Sequence, residues 1–96
     1  MTQYDFANVI QGMLNDLEKM EGNAKIPQFL INNKKQEIER LVNFNNTVDL
    51  IFQEYQQNIQ VLKLTNRIIE QTFLESATVD EMILRNKECI NELLKP

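Results

Sequence analysis

Apolar residues recur at helical spacing in the first segment of the chain. Five of them follow one another at steps of four, three, four and three residues: Phe6, Ile10, Met13, Leu17 and Met20. This spacing places them on one face of an α-helix. Thr2 and Asp5 resemble an N-terminal cap with an acidic first turn, and Gly22 lies where a helix commonly ends. The pattern predicts a helix over residues 3–21.

The middle of the chain is predicted to be one long helix. No glycine or proline occurs between residues 34 and 76, and the apolar residues keep a helical period throughout. A helix of this extent has about 43 residues and is about 65 Å long. Its start has two alternatives, because Pro27 can occupy a first helical turn, whereas Asn33 can cap a later start.

The last segment begins with a capping box, in which Thr78 is followed three residues later by Glu81. The positions that follow keep steps of four and three residues and predict a helix over residues 79–94. The expected fold is therefore all-α, a single domain of residues 1–96 with a short, a long and a short helix. We expect it to form a helical bundle or coiled coil on oligomerisation.

The long helix carries a heptad seam, defined by taking Ile38 as position a. Nine of the eleven residues at positions a and d are apolar. These eleven candidate interface residues are Ile38, Leu41, Asn45, Val48, Phe52, Tyr55, Ile59, Leu62, Asn66, Ile69 and Phe73. A seven-residue period kept over several heptads is typical of helices that supercoil around one another. The seam is therefore predicted to bind partner helices.

Two asparagines, Asn45 and Asn66, interrupt the seam, and both lie at position a. A buried asparagine costs free energy unless its amide finds a hydrogen-bond partner. In a parallel dimer each would face its counterpart and would select register and oligomer state. In an intramolecular bundle each would instead bind water or a neighbouring backbone. The sequence leaves both alternatives open.

The composition gives no support to catalysis. The chain has no histidine, which removes the usual general base near neutral pH and the commonest transition-metal ligand. Cys89 has no histidine to activate it and lies on or beside an apolar helix face, so a buried structural thiol is expected rather than a nucleophile. We therefore expect a protein that is not an enzyme and has no catalytic residue, cofactor or metal site.

Charge and hydropathy bear on partners and location. The net charge is −4 and no basic patch occurs, which argues against nucleic acid and anionic membranes as partners. No stretch has the ~20 apolar residues that cross a bilayer, and the opening MTQYDFANVIQ lacks the pattern of a signal peptide. With a single cysteine, the chain is expected to be intracellular, and cytoplasmic by default.

The predicted function is non-enzymatic protein–protein interaction, as a coiled-coil or helical-bundle assembly subunit or scaffold. Its partner would be a second copy, in a homodimer or higher oligomer, or another helical protein. An alternative is a small chaperone or inhibitor that covers one target, such as a secretion chaperone or a phage antagonist. A further alternative is a small-ligand binder, whose polar cavity would be lined by Asn45, Tyr55 or Asn66.

Overall fold

The computed structural model describes residues 2–96, and that part of the chain is all-helical, as predicted. Its four helices are α1 (Ala7–Glu21), α2 (Gln28–Glu54), α3 (Ile59–Glu75) and α4 (Val79–Leu94). They pack as a bundle that measures 50 × 20 × 19 Å. The last helix has the predicted bounds, and the first ends at the residue before Gly22, as expected.

The predicted three-helix layout with one long central helix is wrong, because residues 55–58 interrupt that helix. The last bond of α2 joins the Tyr55 amide to the Ile51 carbonyl, and the Asn58 amide then donates to the Tyr55 carbonyl at 2.8 Å. The Asn58 side chain accepts from the Val61 amide at 3.2 Å and caps the new helix. Folding back lets α2 and α3 bury their apolar faces within one chain, and this outweighs the helical propensity of the turn.

The starts of the first two helices also differ from the sequence pattern. The first helix begins at Ala7 instead of residue 3, and Thr2 does not cap it. The Asp5 carboxylate instead accepts a hydrogen bond from the Ala7 amide at 2.8 Å. The second helix begins at Gln28, directly after the extended Pro27, so residues 28–33 belong to it.

The capping box of α4 forms with a small change. The Thr78 hydroxyl accepts from the Glu81 amide at 3.1 Å, as the pattern predicts. The Glu81 carboxylate accepts in return from the Ala77 amide at 3.1 Å, one residue before the position in the usual motif.

Long-range contacts define how the helices run. The ring of Phe6, at the start of α1, lies 5.7 Å from Phe44, and the Lys35 ammonium lies 3.6 Å from the Glu21 carboxylate. Helix α1 is therefore antiparallel to the first half of α2. The Arg40 guanidinium pairs with Asp80 at 2.8 Å, at the start of α4. As a result, α4 packs along the second half of α2, α3 packs on α4, and α1 and α2 are left alone at the other end.

One buried cluster draws on all four helices and on the residues before α1. Its members are Phe6, Met13, Ile38, Leu41, Phe44, Val48, Ile69, Met82, Ile83 and Ile90. Phe6 is only 1% exposed and makes edge-on ring contacts with Tyr4 and Phe44. Residues that precede the first helix therefore contribute directly to the core.

Candidate interaction surface

The structure divides the predicted heptad seam into three groups. Five seam residues are buried in the core of this chain: Ile38, Leu41, Val48, Leu62 and Ile69. Five others are half-buried: Asn45, Phe52, Tyr55, Asn66 and Phe73. Ile59, beside the turn, is 57% exposed. Much of the seam is thus covered by the chain's own helices, and contact of the remainder with another chain stays a prediction.

Asn66 follows the second of the two alternatives, because it bonds to the backbone of its own chain. Its side-chain oxygen accepts from the Tyr4 amide at 2.7 Å, and its side-chain nitrogen donates to the Thr2 carbonyl at 2.7 Å. We call residues 2–6 the N-terminal strap. Asn66 holds this strap in the way that a neighbouring strand would, by satisfying one backbone donor and one acceptor.

Two further side chains fix the strap across α2 and α3. The Gln3 amide donates to the carboxylate of Asp49 on α2. The Tyr4 ring lies 6.2 Å from the ring of Phe73 on α3. Burial raises the pKa of the Tyr4 hydroxyl, and the Glu70 carboxylate raises it further, so the neutral phenol is favoured. The strap therefore bridges the helices on either side of the turn.

A third asparagine, Asn86 on α4, is fully buried, and sequence reasoning did not single it out. Its side-chain nitrogen donates to the Met82 carbonyl at 2.9 Å and lies 2.9 Å from the Met82 sulfur. Its side-chain oxygen is buried without a hydrogen-bond partner. The signal was available, because Asn86 occupies an apolar step of its helix just as Asn66 does.

Replacing Asn86 by leucine, which has the same branched shape, is expected to raise the free energy of unfolding by about 1–2 kcal/mol. The change removes a buried oxygen that lacks a partner, at the cost of one local hydrogen bond. Urea denaturation measures the effect, and Asn91→Leu at an exposed site of the same helix is the matched control. A loss of stability specific to Asn86→Leu would mean that the amide oxygen is satisfied in the native protein.

At the two-helix end, an apolar face of α2 continues past the helices that cover it. Leu30 precedes Leu41 and Val48 by 11 and 18 residues, about three and five helical turns, so the three side chains point in nearly the same direction. Leu41 and Val48 are 0% exposed, whereas Leu30 is 41% exposed. The neighbouring Phe29 is also exposed. Phe29 lies about 100° around the helix from Leu30. We call these two adjoining exposed side chains the two-helix surface.

Three small concave features occur within residues 2–96. A groove of about 180 Å³ lies between α2 and α4 and includes Arg40 and Lys87 in its walls. A cavity of about 130 Å³ lies at the α3–α4 connection, and a shallow depression follows the outer side of α3. Asn45, Tyr55 and Asn66 line none of these three, and the polar cavity of the ligand-binding alternative stays a prediction.

Within residues 2–96, no three potential ligands among cysteine and carboxylate side chains lie close enough together to hold a metal ion. Over the same residues, none of the helices combines the length and the apolar character needed to cross a membrane. Cys89 is exposed, so the expectation of a buried thiol is wrong.

Comparison of the chain with protein-family models, with curated proteins and with solved structures finds no match.

Proposed function

We propose that this chain is a non-enzymatic interaction protein that binds a helix of another protein on its two-helix surface. The supporting observation is the line of Leu30, Leu41 and Val48 on α2. Leu41 and Val48 belong to the buried cluster that α3 and α4 complete, whereas Leu30 lies ten residues before Arg40, which pairs with Asp80 at the start of α4. A partner helix bound beside Leu30 would cover it in the way that the chain's own helices cover Leu41 and Val48.

The chemistry around Leu30 indicates what kind of helix fits. Lys34 and Glu37 follow Leu30 at spacings of four and seven residues, which keeps them on the same side of α2. Both side chains are half-buried. A partner helix would present apolar residues to Phe29 and Leu30 and opposite charges to Lys34 and Glu37. The apolar contacts would supply most of the affinity, and the charges would favour one partner over others.

Leu30→Asp is expected to weaken binding by about 100-fold, because it replaces a buried contact of about 1.5–3 kcal/mol with a charge. The fold should be unaffected, since Leu30 is partly exposed in the free chain. The test is affinity capture from the native cells, followed by titration of the purified partner. The first two baits are the unchanged chain and Leu30→Asp. The third bait, Leu84→Asp, changes an exposed leucine on α4.

Three results are informative. A partner held by the unchanged chain and by Leu84→Asp, and lost with Leu30→Asp, supports the proposal. Equal binding to all three baits would overturn the proposed surface. Stoichiometry then separates the two roles: a closed one-to-one complex fits a chaperone or inhibitor of one target, and an extended complex fits an assembly subunit.

A further inference from the structure

The turn between α2 and α3 has a sequence that also suits a continuous helix. Residues 55–58 are Tyr, Gln, Gln and Asn, without glycine or proline, and no residue between 2 and 96 has a positive φ angle. The heptad period runs across the turn without a skipped residue, from Tyr55 at position d to Ile59 at position a. Straightened, the segment from residue 28 to residue 75 would form a helix of about 72 Å.

We propose that the chain forms a dimer with a second copy of itself by exchanging α3 and α4. In this dimer the turn straightens, and α3 and α4 of each chain pack on α1 and α2 of the other. Exchange of identical elements is a low-cost route to dimers, because the closed and exchanged forms share their contacts. The proposal concerns the turn, whereas the two-helix surface lies at the far end of α2, so neither proposal depends on the other.

The contacts between the two halves of the chain are the ones that exchange would conserve. They include the two hydrogen bonds of Asn66 to the strap, the pair of Arg40 and Asp80 at 2.8 Å, and the approach of the Phe6 and Phe73 rings at 6.3 Å. Each would form between chains instead of within one. Exchange therefore changes only the turn at residues 55–58 and the contacts of the residues that adjoin it.

The exposed seam residues lie where the exchanged dimer would need an interface. The two straightened helices would cross near residue 57, on a twofold axis. Tyr55 of one chain and Ile59 of the other are equally distant from that point in sequence, so they would face each other. In the folded-back chain Ile59 is 57% exposed, and Phe52 and Tyr55 are half-buried. The dimer would bury the side chains of these three residues, which the monomer leaves exposed or half-buried.

Asn58→Ala is expected to favour the dimer by on the order of 100-fold. It removes the side-chain cap of α3, which stabilises the turn roughly fivefold, and it improves the continuous helix by roughly threefold. Because the dimer contains two straightened chains, each factor enters the dimerisation equilibrium twice. The measurement is the molar mass by light scattering after refolding over a range of protein concentrations. Asn46→Ala, at an exposed position within α2, is the matched control and should leave the equilibrium nearly unchanged.

Two further variants should shift the equilibrium the other way. Inserting two glycines between Gln56 and Gln57 in each chain disfavours the dimer by roughly several hundredfold, because each glycine costs about 0.8–1 kcal/mol in a continuous helix, at little cost to the turn. Ile59→Asp places charges at the new interface and should also give monomers, whereas Leu74→Asp on the exposed outer side of α3 should not. An Asn58→Ala chain that stays monomeric at millimolar concentration would overturn the proposal.

Cross-linking distinguishes exchange from side-by-side association. Arg40→Cys and Asp80→Cys are made in separate chains that both carry Asn58→Ala and Cys89→Ser, and the two are refolded together. In the exchanged dimer a short bismaleimide reagent joins the two sites, because residues 40 and 80 are in contact. A covalent product of twice the mass, absent from either variant alone, is expected. A dimer that yields no such product has a different interface and would refute the exchange.

Discussion

Phe6→Ala is expected to lower the free energy of unfolding by about 3–5 kcal/mol, the range for removing a buried aromatic side chain. Phe6 is only 1% exposed, and its ring contacts Tyr4, Phe44 and Phe73. It thus joins the strap to α2 and α3 at once. A chain of this size has a total stability of roughly 5–15 kcal/mol, so the variant would lose a large part of it.

Urea denaturation followed by circular dichroism measures this effect, and Phe29→Ala is the control. Phe29 is the same residue type, but it is exposed on the two-helix surface, so its loss should change stability by no more than about 0.5 kcal/mol. Equal stability of the two variants would show that the strap does not pack on the core in solution. A loss confined to Phe6→Ala would establish residues 2–6 as part of the fold.

The sequence was most informative about helix faces and caps. Thr78 and Glu81 gave the start of α4 because a capping box acts within one turn and needs no distant partner. The steps of three and four residues identified the buried sides of α2 and α3, including Leu41, Val48 and Ile69. Local patterns of this kind are decided by local geometry, which explains why they could be predicted.

The turn at residues 55–58 and the strap could not be predicted in the same way. Nothing in Tyr55, Gln56 or Gln57 forbids a helix, and the break there lets α3 and α4 fold back to complete the buried cluster of the same chain. The strap lies beside α3 because the side chain of Asn66, more than sixty residues away in the sequence, bonds its backbone. Both features arise from tertiary contacts, which override local propensity.

Asn66 could pair with its counterpart in a parallel dimer or bond within its own chain, and the two alternatives predict different effects of Asn66→Ala. If Asn66 faced its counterpart in a parallel dimer, removing its amide would loosen the choice of oligomer but leave the strap untouched. Because it instead bonds the Tyr4 amide and the Thr2 carbonyl at 2.7 Å each, Asn66→Ala should destabilise the fold by about 2–3 kcal/mol. Two hydrogen bonds contribute about 1 kcal/mol each, and the part-buried Tyr4 amide adds a further cost, whereas the exposed Thr2 carbonyl can bind water instead.

The residues that lose protection in Asn66→Ala show whether Asn66 stabilises the fold by holding the strap. Amide hydrogen exchange should accelerate in residues 2–6 of Asn66→Ala well before it does in α4, because the strap opens locally while the bundle holds. Asn91→Ala, an exposed asparagine on α4, should show neither effect. Exchange that accelerates uniformly would mean that Asn66 stabilises the bundle without holding the strap. A changed molar mass with unchanged exchange in residues 2–6 would instead favour the asparagine pair between chains.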